Sequence, residues 1–183
     1  MKIGSIHRVF LSVAVLALLS ACAGNPLVSG ELQQWHRVTI TFDGPESSEL
    51  AEQNPFLDYR LDVTFSQGDA SYTVPGFYAA DGDAGETSAD SGNKWRVHFC
   101  PDSPGKWSYR ASFRAGGRVA VSPDPDAGVP LDFDGVEGSF MVEPSDKIVP
   151  DARARGFLQP REGRYLRFSG TGEAFLKGGA DSP

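Results

Sequence analysis

The stretch whose reading decides the fold is Asn93–Phe113, NKWRVHFCPDSPGKWSYRASF. In its first half Trp95, Val97 and Phe99 alternate with Lys94, Arg96 and His98. In its second half Trp107, Tyr109, Ala111 and Phe113 alternate with Lys106, Ser108, Arg110 and Ser112. Successive side chains of an extended chain point to opposite faces, so a period of two over this length predicts two half-buried antiparallel strands. Pro101-Asp102-Ser103-Pro104-Gly105 joins them, with two residues of fixed φ and one that tolerates positive φ, the chemistry of a tight corner.

Toward the N-terminus the same alternation recurs. Trp35–Phe42 (WHRVTITF) places His36, Val38, Ile40 and Phe42 on one face, and Thr39 and Thr41 suit a strand. After the polar loop DGPESSELAEQ, Asn54-Pro55-Phe56 opens a second strand in which Leu57, Tyr59, Leu61, Val63 and Phe65 alternate with Asp58, Arg60, Asp62 and Thr64. Gln67-Gly68-Asp69 turns into a third, Ser71–Tyr78, where Pro75-Gly76 predicts an edge or a bulge. Beyond the central pair, short strands are expected at Arg118–Val121 and Gly138–Val142. Seven strands at short intervals, with 21 Gly and 13 Pro in 183 residues, predict an all-β, immunoglobulin-like antiparallel β-sandwich over 34–143. The inter-sheet cysteine pair of antibody domains is absent.

The first residues read as an export leader. Lys2 and Arg8 form a positive n-region, and Val9–Leu19 is an apolar run shorter than the roughly 20 residues of a bilayer-spanning helix. It ends in Leu19-Ser20-Ala21-Cys22, which resembles a bacterial lipobox: a branched apolar residue and two small ones before the cysteine whose thiol takes the lipid. The expectation is a lipoprotein signal peptide over 1–21, lipidation of Cys22 and a tether over 22–33. An ordinary secretory leader is the alternative. Ala23 after the cysteine is similar to cargo of the outer membrane.

Composition excludes some classes of partner. The net charge is −7 and grows more negative once Lys2 and Arg8 leave with the leader, so no nucleic-acid partner is expected. With Cys22 lipidated, Cys100 has no disulfide partner; it reads as a structural thiol, since no histidine motif accompanies it. His36 and His98 are scattered, so neither a metal site nor a triad is expected, and no cofactor. Asp81, Asp83, Glu86 and Asp90, and likewise Asp124, Asp126, Asp132 and Asp134, lack calcium-loop spacing and read as solvated acidic loops, with calcium the alternative.

From Asp151 the character changes. A linker is expected over 144–163, then a hairpin built from Arg164–Phe168 and Glu173–Lys177, ending in Gly178-Gly179-Ala180-Asp181-Ser182-Pro183. Such a hairpin leaves strand edges unpaired, so 164–183 reads as the opening of a further domain, with a natural frayed tail the alternative.

A family likeness rests on the order of Asn54-Pro55-Phe56, Val74-Pro75-Gly76-Phe77-Tyr78, Trp95-Arg96-Val97, Pro101-Asp102, Pro104-Gly105-Lys106-Trp107-Ser108-Tyr109 and Gly138-Ser139-Phe140. This resembles the uncharacterised β-sandwich domain that precedes the catalytic (β/α)8 barrel of proteins classed as bacterial glycoside hydrolases. Phe175-Leu176-Lys177-Gly178-Gly179-Ala180-Asp181-Ser182-Pro183 looks like the first barrel strand. The chain departs from the pattern at Cys100, where a larger apolar residue is expected. The resemblance implies an accessory domain without catalytic residues of its own, because barrel glycosidases carry their two carboxylates on later strands; Asp181 alone does not make such a site. The implied partners are the chain's own barrel and a polysaccharide, with the membrane reached through the lipid only. A carbohydrate-binding module or a surface adhesion module is the competing reading. For the former, Trp35 and Tyr78 are the candidate stacking platforms, since Trp95 and Trp107 alternate in phase with core residues.

Overall fold

In the computed structural model, residues 25–160 and 165–176 are described. The expected leader, Cys22 and Asp181 lie outside them. No helix among the described residues is long and apolar enough to cross a membrane.

Nine strands build the sandwich: β1 (Leu27–Gly30), β2 (Val38–Ser48), β3 (Tyr59–Gln67), β4 (Ala70–Pro75), β5 (Phe77–Tyr78), β6 (Ser91–Phe99), β7 (Gly105–Ala115), β8 (Val129–Pro130) and β9 (Glu137–Val142). One sheet has the order β1-β2-β6-β5; the other runs β4-β3-β7, with β8 and β9 both paired to the outer side of β7. All these pairings are antiparallel.

The alternation read from the sequence is the alternation that packs. Val38, Ile40 and Phe42 of β2 and Trp95, Val97 and Phe99 of β6 face Tyr59, Leu61, Val63 and Phe65 of β3 and Trp107, Tyr109, Ala111 and Phe113 of β7, all of them buried. Aromatic rings bridge the two sheets. Phe65 stacks on Phe99 at 4.1 Å, Trp95 meets Phe113 at 4.8 Å, and Phe133, from the β8–β9 loop, lies between Phe42 at 4.5 Å and Phe113 at 4.3 Å. Such pairs contribute roughly 0.5–1.5 kcal/mol each beyond their buried area. The corner after β6 is locked by side chains. Trp107 Nε1 donates to the Ser103 carbonyl at 3.0 Å, Ser103 Oγ donates to Gln67 Oε1 at 2.5 Å, and Gly105 takes φ +116°.

Five local expectations change. Leu27–Gly30, expected as tether, is an edge strand held through its backbone to Val38–Thr41. The second strand begins at Tyr59, because Asn54 caps a turn: Phe56 N–H donates to its Oδ1 and Leu57 N–H to its carbonyl. The expected third strand is two strands in different sheets, since Pro75 ends the pairing with β3 and the chain crosses to join β6. Val119–Val121 is a 3-10 turn entered by Arg118 at φ +58°, not a strand. The expected linker is structured: after a 3-10 turn at Ala152–Ala154, β10 (Leu158–Pro160) pairs with β11 (Leu166–Phe168), which pairs with β12 (Ala174–Phe175), all antiparallel.

Candidate functional site

The small β10–β12 sheet is fastened to the sandwich through residues 31–36, and that junction is the first candidate. Residues 32–34 are tied to the end of β9, with Glu143 N–H donating to the Leu32 carbonyl and Gln34 N–H to the Glu143 carbonyl. Trp35 follows at φ +64°, its N–H on the Pro101 carbonyl at 2.8 Å. Its ring is half-buried and lies across Gly170, so tightly that a Cβ at 170 would sit 2.5 Å from ring carbon Cη2. Trp35, expected as a sugar platform, thus spends one part of its ring on the β11–β12 turn.

Charged side chains surround the same junction. Glu31 faces Lys147 at 3.0 Å and Arg153 at 3.2 Å; Lys147 also reaches Asp146 at 3.0 Å, and Arg153 reaches Asp151 at 2.7 Å. The hydrogen bond from Lys147 holds the Glu31 and Asp146 carboxyls below their usual range, and these two raise the lysine in turn. The Arg153 side-chain hydrogen bond takes Asp151 down to about 2. These pairs are open to water and screened, so they orient the junction more than they stabilise it. His36 lies beneath them, 3% exposed, with Nδ1 2.8 Å from the Gln34 carbonyl oxygen.

A groove of about 530 Å³ runs between the sandwich and β10, lined by Tyr72, Val74, Phe99, Cys100, Phe157 and Gln159 among others. The Cys100 thiol is half-buried there, and burial pushes it up, away from the thiolate form that a nucleophile needs. Tyr72 OH donates to Asp102 Oδ2 at 2.6 Å, an interaction that raises the phenol.

A second cleft, of about 190 Å³, opens on the far side of β3, with Phe56, Arg60, Asp62, Phe77 and Tyr78 among its walls. Phe56 and Phe77 are 54% and 41% exposed. The Arg60 guanidinium is committed to the backbone carbonyls of Val119, Ser122, Asp124 and Pro125, and Asp62, 3.4 Å from its Nε, is pushed up by burial and only partly pulled back by that arginine. Tyr78 corrects the expectation made for it. Its ring is 6% exposed, packed on Trp95 at 5.1 Å, and its hydroxyl donates to the Ser47 carbonyl at 2.5 Å, so it belongs to the core and offers no face for stacking. The exposed aromatics of this cleft are Phe56 and Phe77, neither of them a Trp or Tyr of the kind expected as a platform.

The acidic loops use their carboxylates locally. Asp81 accepts from Asp83 N–H and Thr87 Oγ1 around the one-turn helix Ala84–Thr87, Asp124 accepts from Asp126 N–H, and Asp134 accepts from Phe113 N–H.

A family model described as "Domain of unknown function (DUF5060)" matches residues 31–114. The sandwich is similar to that domain. It also shares its fold with part of the crystal structure of a putative glycoside hydrolase from Bacteroides vulgatus ATCC 8482, at a TM-score of 0.51 and 24% identity. The likeness covers 78% of this chain and 20% of that protein, so the chain spans about a fifth of its length. No curated protein matches.

Proposed function

We propose that this chain is the non-catalytic, N-terminal accessory part of an exported, lipid-anchored glycoside hydrolase that acts on polysaccharide. The observation that carries the reading is the unequal finish of its two units. The sandwich closes a core between two sheets, with Phe56, Tyr72 and Phe77 as its exposed aromatics, whereas among the described residues β10–β12 and their flanks leave Leu158, Tyr165, Leu166 and Leu176 outward, with only Phe168 buried. Exposed apolar residues on a sheet with unpaired edges suit a surface that another unit covers. Here the cover is the chain's own catalytic barrel, docked on the small sheet. The lipobox at Leu19–Cys22 supports the anchor, and the fold likeness to a fifth of a longer protein described as a glycoside hydrolase supports the barrel.

The test is to follow the open frame past the Pro183 codon and to assay both products on aryl glycosides. The reading expects a continuation of about 250 residues or more, the size of a barrel, and turnover only in the longer product. A stop codon at once, or turnover by residues 1–183 alone, contradicts it.

A second reading is favoured by the Phe56–Phe77 cleft alone: a carbohydrate-binding module that stacks sugar on those rings. It expects retention on insoluble polysaccharide that Phe56→Ala and Phe77→Ala abolish. Retention unchanged in both variants rules out this cleft.

A further inference from the structure

Among the described residues, Gln33 Oε1, Arg155 Nε and His36 Nε2 are buried at the junction without a hydrogen-bond partner, and the last of them is a potential metal ligand. His36 is 3% exposed, and its Nδ1 lies 2.8 Å from the Gln34 carbonyl oxygen, which only accepts. Nδ1 therefore carries a proton, which selects the neutral tautomer whose Nε2 presents a bare lone pair to a metal ion. Among the described residues no donor reaches Nε2; in that tautomer it faces Glu31 Oε2 at 3.4 Å, one acceptor toward another.

That separation is informative. A charge-assisted hydrogen bond would draw the two atoms to about 2.7–2.9 Å. Zinc instead holds imidazole nitrogen and carboxylate oxygen at about 2.0–2.2 Å each in a tetrahedron, which sets neighbouring donor atoms roughly 3.4 Å apart. Asp146 supplies a third donor: one ligand atom from each of Glu31, His36 and Asp146 lies within 4.8 Å of the others. The Nδ1–H bond to a backbone carbonyl is the outer support that fixes tautomer and ring orientation when a histidine binds metal through Nε2.

We propose that Glu31, His36 and Asp146 form a binding site for a divalent cation of the zinc class, with water completing the tetrahedron. Mixed imidazole and carboxylate donors suit such an ion better than an all-oxygen cation. Glu31 and His36 precede β2 and Asp146 follows β9, so the ion ties the two ends of the sandwich together beneath the small sheet. Lys147 is its competitor. The ammonium lies 3.0 Å from Glu31 Oε2 and 3.0 Å from Asp146 Oδ1, at the point where both carboxylates converge. Its flexible stem lets it withdraw to water when the ion enters, while Arg153 stays on the other Glu31 oxygen.

The test is titration of the untagged full chain with Zn²⁺, followed by calorimetry and thermal unfolding, with Co²⁺ absorption as a reporter of geometry. The expected result is one saturable site, a rise in Tm on binding, and a tetrahedral Co²⁺ spectrum. Lys147→Met tightens binding. Glu31→Gln and Asp146→Asn, at exposed positions, each weaken it about tenfold or more, with each variant's own metal-free Tm as its baseline. His36→Ala abolishes it; if that variant does not fold, the two carboxylate variants decide. Absence of saturable binding in both the native chain and Lys147→Met overturns the proposal. Binding that Glu31→Gln and Asp146→Asn leave untouched does so equally, since the ion would then sit elsewhere. None of these outcomes depends on whether a catalytic barrel follows.

Discussion

The sandwich and the small C-terminal sheet are both antiparallel and both lie in the same chain, but they differ in what they bury. In the sandwich, β2, β3, β6 and β7 each contribute at least three inward residues, and aromatic rings from the two sheets and the β8–β9 loop pack at 4.1–4.8 Å. In β10–β12 the strands are two or three residues long, and among the described residues the one buried large side chain is Phe168, covered by Phe175 and by the Arg155 guanidinium 5.4 Å above its ring. Two facing sheets make a closed core. A single three-stranded sheet has one face too many, and its stability depends on what is laid over it. The difference teaches that the sandwich closes a core of its own and the small sheet does not, which is what the proposed role of that sheet as an adaptor rests on.

The sharpest way to break this comparison is to remove one ring from each side. Trp107→Ala is expected to cost about 3–5 kcal/mol of global stability, as large-to-small core substitutions do, read from urea unfolding. Phe168→Ala should leave that midpoint nearly unchanged and only speed hydrogen exchange in β10–β12. Equal losses from the two would mean one cooperative unit.

The next effect is at the fastening. Gly170→Ala forces a methyl against the Trp35 ring, and overpacking of this kind costs roughly 1–3 kcal/mol. Trp35 is the least buried of the three tryptophans, so its fluorescence should shift red as the small sheet lifts, with the sandwich midpoint unmoved. An unshifted spectrum would mean that the sheet holds by other contacts.

Extremes of pH should separate the two regions more gently. Burial raises the phenols of Tyr59, Tyr78 and Tyr109 in the sandwich. A raised folded pKa means that their contribution is fully present below the unfolded value of about 10 and is lost as pH rises beyond it. Alkali thus attacks the sandwich. At the junction the sign reverses: Asp151, lowered to about 2 by Arg153, contributes above the unfolded carboxylate value and loses that contribution as pH falls toward 2. Acid should therefore loosen the junction slightly, and alkali should reach it only once pH climbs past the usual lysine range, because Asp146 and Glu31 hold Lys147 above its ordinary value. Tyrosine titration by absorbance and hydrogen exchange at the junction check the two halves.

Much of the sandwich was legible because β2, β3, β6 and β7 repeat their inward residues three to five times, enough to fix the phase of Trp95 and Trp107. Tyr78 was misjudged for the opposite reason. Its strand has two residues and begins just after a switch between sheets, so no period exists from which to read the side it faces. β1 was missed because its pairing runs through the backbone, while its side chains, apart from half-buried Val28, face water. The 3-10 turn at Val119–Val121 was hidden because a short apolar run reads alike as strand or turn. The Glu31–His36–Asp146 group could not be seen at all, since spacing reveals only ligands that are near in sequence. The strands of the C-terminal sheet were half legible: Leu166–Phe168 and Ala174–Phe175 lie inside the expected hairpin, whereas Leu158–Pro160 lay in what reads as linker.

The most direct test of the account is hydrogen exchange on residues 1–183 alone and on the longer, barrel-bearing product that the proposed function expects. The account predicts that β2, β3, β6 and β7 exchange equally slowly in both, and that β10–β12 exchange quickly in the first and become strongly protected in the second. Equal protection of β10–β12 in the two products would show that nothing docks there and would contradict the reading of this sheet as an adaptor.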